Sequence, residues 1–206
     1  VCKYCWVSDA VMFQPAEAGR FYRPEEVASI LVNMAGKRGL GQIRVSGCEP
    51  TIGRRHLLQL LKRLEGRALL FILETNGILI GNDQKYAEDL AKHGFVHVRV
   101  SLKGCNEEEF VTLTGAEPEG FTLQLKALEN MLRAGVKCHP AVMTSFSTQK
   151  SLQQLTKRLK DISPRLAEEL EIEELILYPS VQRKVEKHRL DYYTAYTPKG
   201  VPKERV

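Results

Sequence analysis

Long hydrophobic runs are absent from this sequence, and so is a secretion signal. Its 206 residues contain no stretch of about 18 apolar residues, the length that a membrane-spanning helix needs. The N-terminus lacks the basic, apolar and small-residue order of a secretory leader. These absences predict a cytoplasmic protein with no membrane partner.

Excess charge is small and is concentrated near the C-terminus. The formal net charge is +5, and residues 181–206 hold seven Lys or Arg against three Asp or Glu, a difference of +4. A basic segment can attract phosphate groups or anionic substrates. Because no aromatic platform or nucleic-acid motif accompanies it, we interpret it as a solvated tail and expect no nucleic-acid partner. We predict a core domain over residues 1–180 and a basic C-terminal tail over residues 181–206.

Cysteine is sparse, and its five residues are scattered. An odd number in a chain without a secretion signal argues against a disulfide framework. Only Cys2 and Cys5 stand at ligand spacing, as C-x-x-C. Such a pair suits half of a zinc site, a redox dithiol or part of an iron–sulfur ligand set. No second pair follows to complete four zinc ligands, and the context of a thioredoxin-like dithiol is missing. An iron–sulfur loop often takes three thiolates from one short segment, and the third would then precede Val1.

Helical and strand patterns alternate along the chain. Amphipathic spacing predicts helices over residues 21–39, 56–66, 83–94, 106–115, 121–135 and 151–162. Apolar and β-branched runs predict strands over residues 42–47, 68–77, 95–104, 136–146 and 169–181. Asn82 is the expected cap of the third helix. Because such alternation produces parallel strands with helices outside them, we expect an α/β fold, either an open doubly wound sheet or an incomplete barrel.

Small, polar or charged residues follow each predicted strand. The five strand ends read SGCEPT, ETNG, SLKG, MTSF and LYPS. In both architectures the ligand site lies at the carboxyl ends of the parallel strands. We therefore expect these segments to contribute to one site.

Four short motifs together resemble the radical S-adenosylmethionine (SAM) superfamily in their order and spacing. They are the C-x-x-C pair, Gly47-Cys48-Glu49-Pro50, Glu74-Thr75-Asn76-Gly77 and Ser101-Leu102-Lys103. The chain is most similar to the activating-enzyme and cofactor-biosynthesis branches. The resemblance extends through Tyr178 and implies an α/β fold, an incomplete (βα)6 TIM-like barrel with parallel strands, whose first strand is missing or upstream of residue 1.

The resemblance implies two cofactors, a 4Fe–4S cluster and SAM. Cys2 and Cys5 would be two of the three cluster ligands, and Tyr4 would be the aromatic residue that the family prefers before the last cysteine. The first cysteine of the family's C-x-x-x-C-x-x-C loop would be the fourth residue before Cys2. We expect it upstream of the present first residue.

Further residues are implied to bind SAM. Its amino group would meet the backbone and carboxylate of the segment that corresponds to the family's G-G-E-P, which here comprises Gly47, Cys48, Glu49 and Pro50. The remaining implied cofactor-binding residues are Glu74, Thr75, Asn76, Lys103 and His139. Cys48 replaces a glycine of the family, and we expect ordinary backbone angles there, which a small thiol side chain tolerates.

The segment Ser101-Leu102-Lys103 departs from the D-L-K of the branches it resembles. Losing the aspartate argues against an activase role, because that carboxylate helps to position a peptide or a cation near the cofactor. Lys103 keeps a cation that can meet the carboxylate of SAM. Ser101 and Lys103 are the candidate catalytic residues.

The implied reaction is the reductive cleavage of SAM to a 5′-deoxyadenosyl radical, which abstracts hydrogen from an unassigned substrate. That substrate would be a small molecule or a peptide. An electron donor such as flavodoxin or ferredoxin would reduce the cluster.

Two other functions remain open on the residues alone. One is a zinc-binding or redox C-x-x-C protein on an α/β barrel scaffold, and the other is a binding module without a cluster. Taken singly, Glu49 can be a helix cap and Thr75-Asn76-Gly77 a simple turn. Metal analysis separates these functions, because zinc without labile sulfide favours the first alternative.

Overall fold

One sheet of five strands organises the computed structural model, which describes residues 2–202. Val1 and residues 203–206 of the predicted tail lie outside the described residues. The strands are β1 Gln42–Val45, β2 Leu70–Thr75, β3 Val96–Leu102, β4 Lys137–Met143 and β5 Glu171–Glu173. They neighbour one another in chain order, and the pairs β1–β2, β2–β3 and β4–β5 are parallel. The predicted α/β class, with the parallel strands of an incomplete TIM-like barrel, is confirmed. A strand before residue 1 stays a prediction.

Helices separate these strands. They are α1 Asp9–Phe13, α2 Pro15–Ala18, α3 Pro24–Arg38, α4 Arg54–Leu64, α5 Ile78–Asn82, α6 Gln84–Ala91, α7 Glu107–Thr114, α8 Glu119–Ala134, α9 Gln149–Ile162, α10 Pro164–Glu168 and α11 Pro179–Lys187. A 3-10 turn, Pro50–Gly53, precedes α4. No helix in residues 2–202 combines the length and the apolar character that crossing a bilayer requires.

The ends of two predicted helices show how the local sequence sets their limits. Pro24 occupies the first turn of α3, and Gly39 caps its C-terminus at φ 63°, as expected for a left-handed glycine cap. The cap of α6 is Asp83, whose carboxylate accepts a hydrogen bond from the Lys85 amide at 2.9 Å. The prediction of Asn82 as that cap is wrong, because Asn82 is the last residue of α5.

The last predicted strand, over residues 169–181, is divided in the structure. After β5 the chain forms β6 Leu175–Ile176, which pairs in a second sheet with β7 Ala195–Tyr196. The amide of Leu175 donates to the Ser145 hydroxyl at 2.7 Å. This side-chain bond takes the place of a ladder bond, so the prediction of one continuous strand is wrong.

Two compact units are present in the described part of the chain. Unit 1 comprises residues 2–8, Ser101–Thr122 and 139–202, and unit 2 comprises Asp9–Val100 and Leu123–Cys138. In unit 2 the large apolar side chains with no more than 2% exposure come from α4, β2, α5, α6, β3 and α8. They are Leu61, Leu64, Phe71, Leu73, Ile80, Tyr86, Leu90, Val96, Val98, Val100, Leu128 and Met131.

The core of unit 1 includes part of the segment predicted as a basic tail. Val181, Val185 and Leu190 are buried in one cluster with Tyr4, Leu113, Met143 and Leu175. The apolar side chains of α11 therefore pack inward, while Arg183 and Lys187 are exposed. The interpretation as a solvated tail does not hold for residues 181–190, because these three apolar side chains are buried. The division at residue 180 stays a prediction.

Candidate cofactor site

In unit 2, Glu49 joins two of the strand-end motifs. Its Oε1 accepts hydrogen bonds from the Thr51 amide at 3.1 Å, the Thr51 hydroxyl at 2.6 Å and the Thr75 hydroxyl at 2.7 Å. Its Oε2 accepts from the Asn76 amide at 2.7 Å. An ionised carboxylate has roughly four acceptor positions, so Glu49 acts as a structural acceptor as well as a cap of the 3-10 turn. Its contact with SAM stays a prediction.

The turn after β2 is fixed from both sides. The Thr75 hydroxyl accepts from the Gly77 amide at 3.0 Å, and Asn76 Oδ1 accepts from the Ile78 amide at 2.9 Å. Gln124, which is fully buried, donates to the Asn76 carbonyl at 2.7 Å. Gly77 has φ 80°, and a Cβ there would lie 3.0 Å from the Val100 side chain. The turn therefore requires glycine, and the contact of Asn76 with SAM stays a prediction.

Glu74 lies in a different environment from its two neighbours. Its carboxylate forms ion pairs with Arg44 and, at 3.5 Å, with Arg99, which is almost fully buried. Arg99 is the residue opposite Glu74 in the β2–β3 register. None of the hydrogen bonds to Glu49 involves Glu74. The structure thus brings Thr75 and Asn76 to Glu49, while Glu74 balances two arginines.

The backbone angles at Cys48 differ from those expected from the sequence. Gly47 has φ 87° and Cys48 has φ 50°, so both residues are in the left-handed region that glycine adopts without strain. The expectation of ordinary angles at Cys48 is wrong. The side chain is exposed, and Pro50 follows as the first residue of the 3-10 turn.

In unit 1, a tight turn holds the two candidate iron ligands. The Cys5 amide donates to the Cys2 carbonyl at 3.1 Å. Lys3 anchors the turn through its amide to the Leu113 carbonyl at 2.8 Å and through its ammonium to the Thr112 carbonyl at 2.6 Å. The turn is thus tied to α7, which places both thiols on a fixed segment.

A second anchor comes from α11. The Lys184 ammonium donates to the carbonyls of Cys5 at 3.0 Å and Val7 at 2.7 Å. Two charge-assisted bonds from one side chain are among the stronger hydrogen bonds that proteins form. The helix in the predicted tail therefore holds the cysteine turn.

The Cys2 thiol is harder to ionise than an ordinary cysteine, although a cation lies near it. Burial raises the pKa of its thiol above the ordinary value, and the Lys103 ammonium opposes that rise. Thiolates are the usual protein ligands of iron–sulfur clusters, so the donor chemistry of this turn fits part of a 4Fe–4S site. No group of three His, Cys, Asp or Glu able to hold a metal occurs in residues 2–202. The turn would supply two of the three thiolates that such a loop provides, and this role of Cys2 and Cys5 stays a prediction.

Cys105 and Cys138 are buried. Burial raises the pKa of Cys105 to about 11, so its thiol stays protonated at neutral pH. This agrees with the interpretation of these cysteines as small buried side chains.

Tyr4 carries a buried hydroxyl with no hydrogen-bond partner in the described residues. Its ring packs against Phe146 with the centroids 5.0 Å apart. Burial raises the pKa of Tyr4 well above its ordinary value, and Cys2 and Glu173 add to the rise. The phenol stays protonated, so a buried donor lies between the two cysteines in sequence. An unpaired buried donor is costly, and a bound group would satisfy it.

Ser101 and Lys103, the candidate catalytic residues, are in direct contact. The Lys103 ammonium donates to the Ser101 hydroxyl at 2.6 Å, and that hydroxyl donates to Glu173 Oε2 at 3.3 Å. His139 lies on β4 and pairs with Glu171, with 3.1 Å between Nε2 and Oε2. The binding role predicted for His139 remains a prediction, since its observed partner is a carboxylate of β5.

Sequence reasoning gave no individual role to four residues of these clusters: Thr51, Gln124, Glu173 and Lys184. Gln124 was detectable, because it interrupts the apolar face that Phe121, Leu125 and Leu128 form on its helix. Thr51 directly follows the Gly47–Pro50 motif, and Glu173 ends a short strand in which acids alternate with Ile172. The contacts of these last two residues give no signal in the sequence.

Residues 1–159 match the family model of the radical SAM superfamily. The chain belongs to the radical SAM superfamily. Members of this superfamily use a 4Fe–4S cluster and SAM, the two cofactors that the motifs predicted.

Curated relatives in the superfamily are GTP 3′,8-cyclases. A probable enzyme of this name from Methanococcus vannielii is 35% identical over 104 residues, which are 50% of this chain and 33% of that protein. One from Thermoplasma volcanium is 28% identical over 178 residues, which are 85% of this chain and 51% of that protein. The chain thus spans about half, or less, of the length of these relatives.

Solved radical SAM structures share the fold at low identity. Streptococcus suis SuiB bound to S-adenosylmethionine has a TM-score of 0.65 and 16% identity, over 95% of this chain and 46% of that one. The anSMEcpe structure with bound AdoMet has a TM-score of 0.62 and 19% identity, over 84% of this chain and 47% of that one. At this identity the likeness shows the fold alone, a partial barrel.

Proposed function

We propose that the chain is the core of a radical SAM enzyme that cleaves SAM reductively and uses the resulting 5′-deoxyadenosyl radical to abstract hydrogen from a substrate. One observation carries the proposal: a turn held by Lys3 and Lys184 presents two thiols, and Cys2 of this turn lies within electrostatic reach of Lys103. In a superfamily that binds an iron–sulfur cluster and SAM, this is the arrangement expected of the cluster ligands.

The protein's own residues have distinct tasks in this proposal. Cys2 and Cys5 bind iron as two of the three thiolates of the cluster. Lys103 binds the carboxylate of SAM as a cation, and the Asn76 amide group donates to the amino acid or ribose part of SAM. Tyr4 supplies a buried donor at the cysteine turn. The cofactors, when bound, supply the one-electron chemistry.

The proposed substrate is a small molecule or a peptide. The curated relatives are GTP 3′,8-cyclases by name, so GTP is the first small molecule to assay. One solved neighbour is SuiB bound to its precursor peptide, which makes a peptide the second class. A flavodoxin or ferredoxin is the proposed electron donor, and a cytoplasmic location remains part of the proposal.

Metal and sulfide analysis tests this function against its rivals. We expect the longest natural chain containing these residues to take up about four irons and four sulfides in anaerobic reconstitution. The variants C2A and C5A should lose the cluster, whereas the matched control C138A, which removes a buried strand cysteine, should retain it. Stoichiometric zinc without sulfide would establish the zinc-binding alternative, and a protein that takes up no metal would be a binding module.

A further inference from the structure

Three polar side chains in unit 1 form a hydrogen-bond chain with a fixed direction. Lys103 has donors only, so the Ser101 hydroxyl must accept its bond at 2.6 Å. The single proton of Ser101 then points to Glu173 Oε2, 3.3 Å away. A carboxylate can only accept, so it defines which way the hydroxyl faces.

The sheet determines where Glu173 lies. It is the last residue of β5 and stands opposite Met143 in the β4–β5 register. Its carbonyl accepts from both the amide and the hydroxyl of Thr144, at 3.0 and 3.2 Å. Two bonds to one carbonyl fix the backbone from which the side chain extends. The fold therefore fixes the backbone position from which the Glu173 carboxylate reaches Ser101.

Both ends of the hydrogen-bond chain act on the cysteine turn. The Lys103 ammonium interacts electrostatically with Cys2, and the Glu173 carboxylate interacts with Tyr4. Cys2 and Tyr4 are two positions apart in the segment that we propose for the cluster. Because it contains Lys103, the residue that we propose to bind SAM, the hydrogen-bond chain is part of the proposed site, although no motif includes Glu173.

We propose that Glu173 is a positioning residue for SAM: it orients the Ser101 hydroxyl, which in turn holds the Lys103 ammonium for the carboxylate of the bound molecule. This inference rests on the proposed function. Where the similar branches have an aspartate, this chain has Ser101, and Glu173 of β5 places a carboxylate against that serine.

A positioning role and a purely electrostatic role of Glu173 predict opposite changes in the affinity for SAM. If Glu173 only offset the charge of Lys103, its neutralisation would strengthen the binding of an anionic ligand. If it positions Lys103, its loss weakens that binding. The sign of the change in the SAM dissociation constant therefore separates the two roles.

The test uses the cluster-loaded full chain and anaerobic titration with SAM. We expect E173Q, E173D and S101A each to raise the Kd about tenfold, as loss of a supporting hydrogen bond commonly does. E173D keeps the negative charge but moves the carboxylate away from the Ser101 hydroxyl. If only the charge mattered, E173D would bind SAM with the same Kd as the wild type. The Kd of the double variant E173Q/S101A should lie within about twofold of the Kd of either single variant, because each substitution removes the same hydrogen bond between Ser101 and Glu173. The control E169Q removes a surface carboxylate paired with Arg165 and should bind SAM normally.

Several results would overturn the inference. They are an unchanged or lower Kd in E173Q, wild-type binding in E173D, or penalties in E173Q and S101A that add in the double variant. Failure of the proposed function is visible separately, because it appears in the wild-type chain as absence of a cluster or of SAM binding. Failure of the positioning role appears only in the variants.

Discussion

At the residue scale, Cys48 has the most unusual backbone of the candidate site. Its φ of 50° is in the left-handed region, which costs an L-amino acid roughly 1–2 kcal/mol. The motif match identified Cys48 as the counterpart of a glycine, but residue letters do not reveal the backbone angle. The strained residue directly precedes Glu49, so the strain lies within the segment that the site uses.

Replacing Cys48 by glycine should relieve this strain. We expect C48G to raise the free energy of unfolding by about 0.5–1 kcal/mol, after the entropy that glycine loses on folding is subtracted. Urea unfolding measures the change. C48A is the matched control, because it removes the thiol and keeps the Cβ that causes the strain. A C48G protein no more stable than C48A would contradict the expectation.

Glu49 is the second residue with a clear prediction, because four donors meet its carboxylate. Glutamine offers only one oxygen and directs an N–H group at a donor. We expect E49Q to lower the free energy of unfolding by about 2 kcal/mol and to weaken SAM binding. The control E88Q changes a surface carboxylate on α6 and should stay within about 0.5 kcal/mol of the wild type. Equal stability of the two variants would show that the four contacts contribute little.

At the element scale, Arg54 ties the start of α4 to both ends of the α6 region. Its guanidinium contacts Asp83 at 2.6 Å and Asp89 at 2.7 Å, and it stacks 4.5 Å from the centre of the Tyr86 ring. The Tyr86 hydroxyl donates to the Thr51 carbonyl at 3.0 Å. This network supports the turn that contains Thr51 and, through it, Glu49.

The Arg54 network should make stability depend on acid pH. The Arg54 hydrogen bond lowers the pKa of Asp83, and bonds from Lys92 and Arg54 lower the pKa of Asp89. A carboxylate whose pKa is lower in the folded protein than in the unfolded chain stabilises the fold at pH values above its unfolded-state pKa, which is about 3.9. That contribution is lost as the pH falls through its folded-state pKa. We expect the stability difference between wild type and R54M to be full at pH 6 and to shrink below about pH 4. Urea unfolding across this range measures it.

The matched control for that experiment is R55M. Arg55 is the next residue of the same helix and is exposed, so its loss should change stability little at any pH. A difference between wild type and R54M that stays constant down to pH 2.5, or that grows as pH falls, would contradict the assignment of the two aspartates.

The helix α11 also carries a prediction, because Lys184 bonds the carbonyls of Cys5 and Val7. We expect K184M to loosen the cysteine turn and to reduce iron affinity about tenfold, as loss of supporting contacts around metal ligands typically does. Iron retention during anaerobic titration with a chelator measures the effect. K187M, an exposed lysine of the same helix, is the control, and equal retention in both variants would contradict the anchoring role.

At the scale of the whole molecule, the periodic spacing of hydrophobic residues in the sequence predicted most of the helices and strands. Alternating amphipathic and apolar runs correctly predicted the helices α3, α4 and α6 to α9 and the strands β1 to β4, because local spacing reports which face is buried. The last strand was mispredicted because its division depends on the bond between Leu175 and Ser145, which are 30 residues apart. The basic charge near the C-terminus likewise concealed Val181, Val185 and Leu190, whose burial depends on tertiary contacts.

The residues of the candidate site also fall into those that the sequence indicates and those that it does not. Cys2, Cys5, Glu49 and Asn76 could be proposed from the sequence, because they stand in short motifs with characteristic spacing, and their binding roles stay predictions. Glu173 could not be proposed in this way, since its contact with Ser101 joins residues 72 positions apart and exists only once β4 and β5 pair. Contacts made by strand pairing have no local signature, and the bonds of Lys184 to the carbonyls of Cys5 and Val7 likewise join residues far apart in the chain.

The most direct test of the account is the formation of 5′-deoxyadenosine from SAM by the anaerobically reconstituted full-length protein after reduction with dithionite. The account predicts 5′-deoxyadenosine with the wild-type protein, and none above background with C2A or C5A under the same conditions. A wild-type protein that holds a full complement of iron and sulfide and binds SAM, yet forms no 5′-deoxyadenosine on reduction, would contradict the central claim.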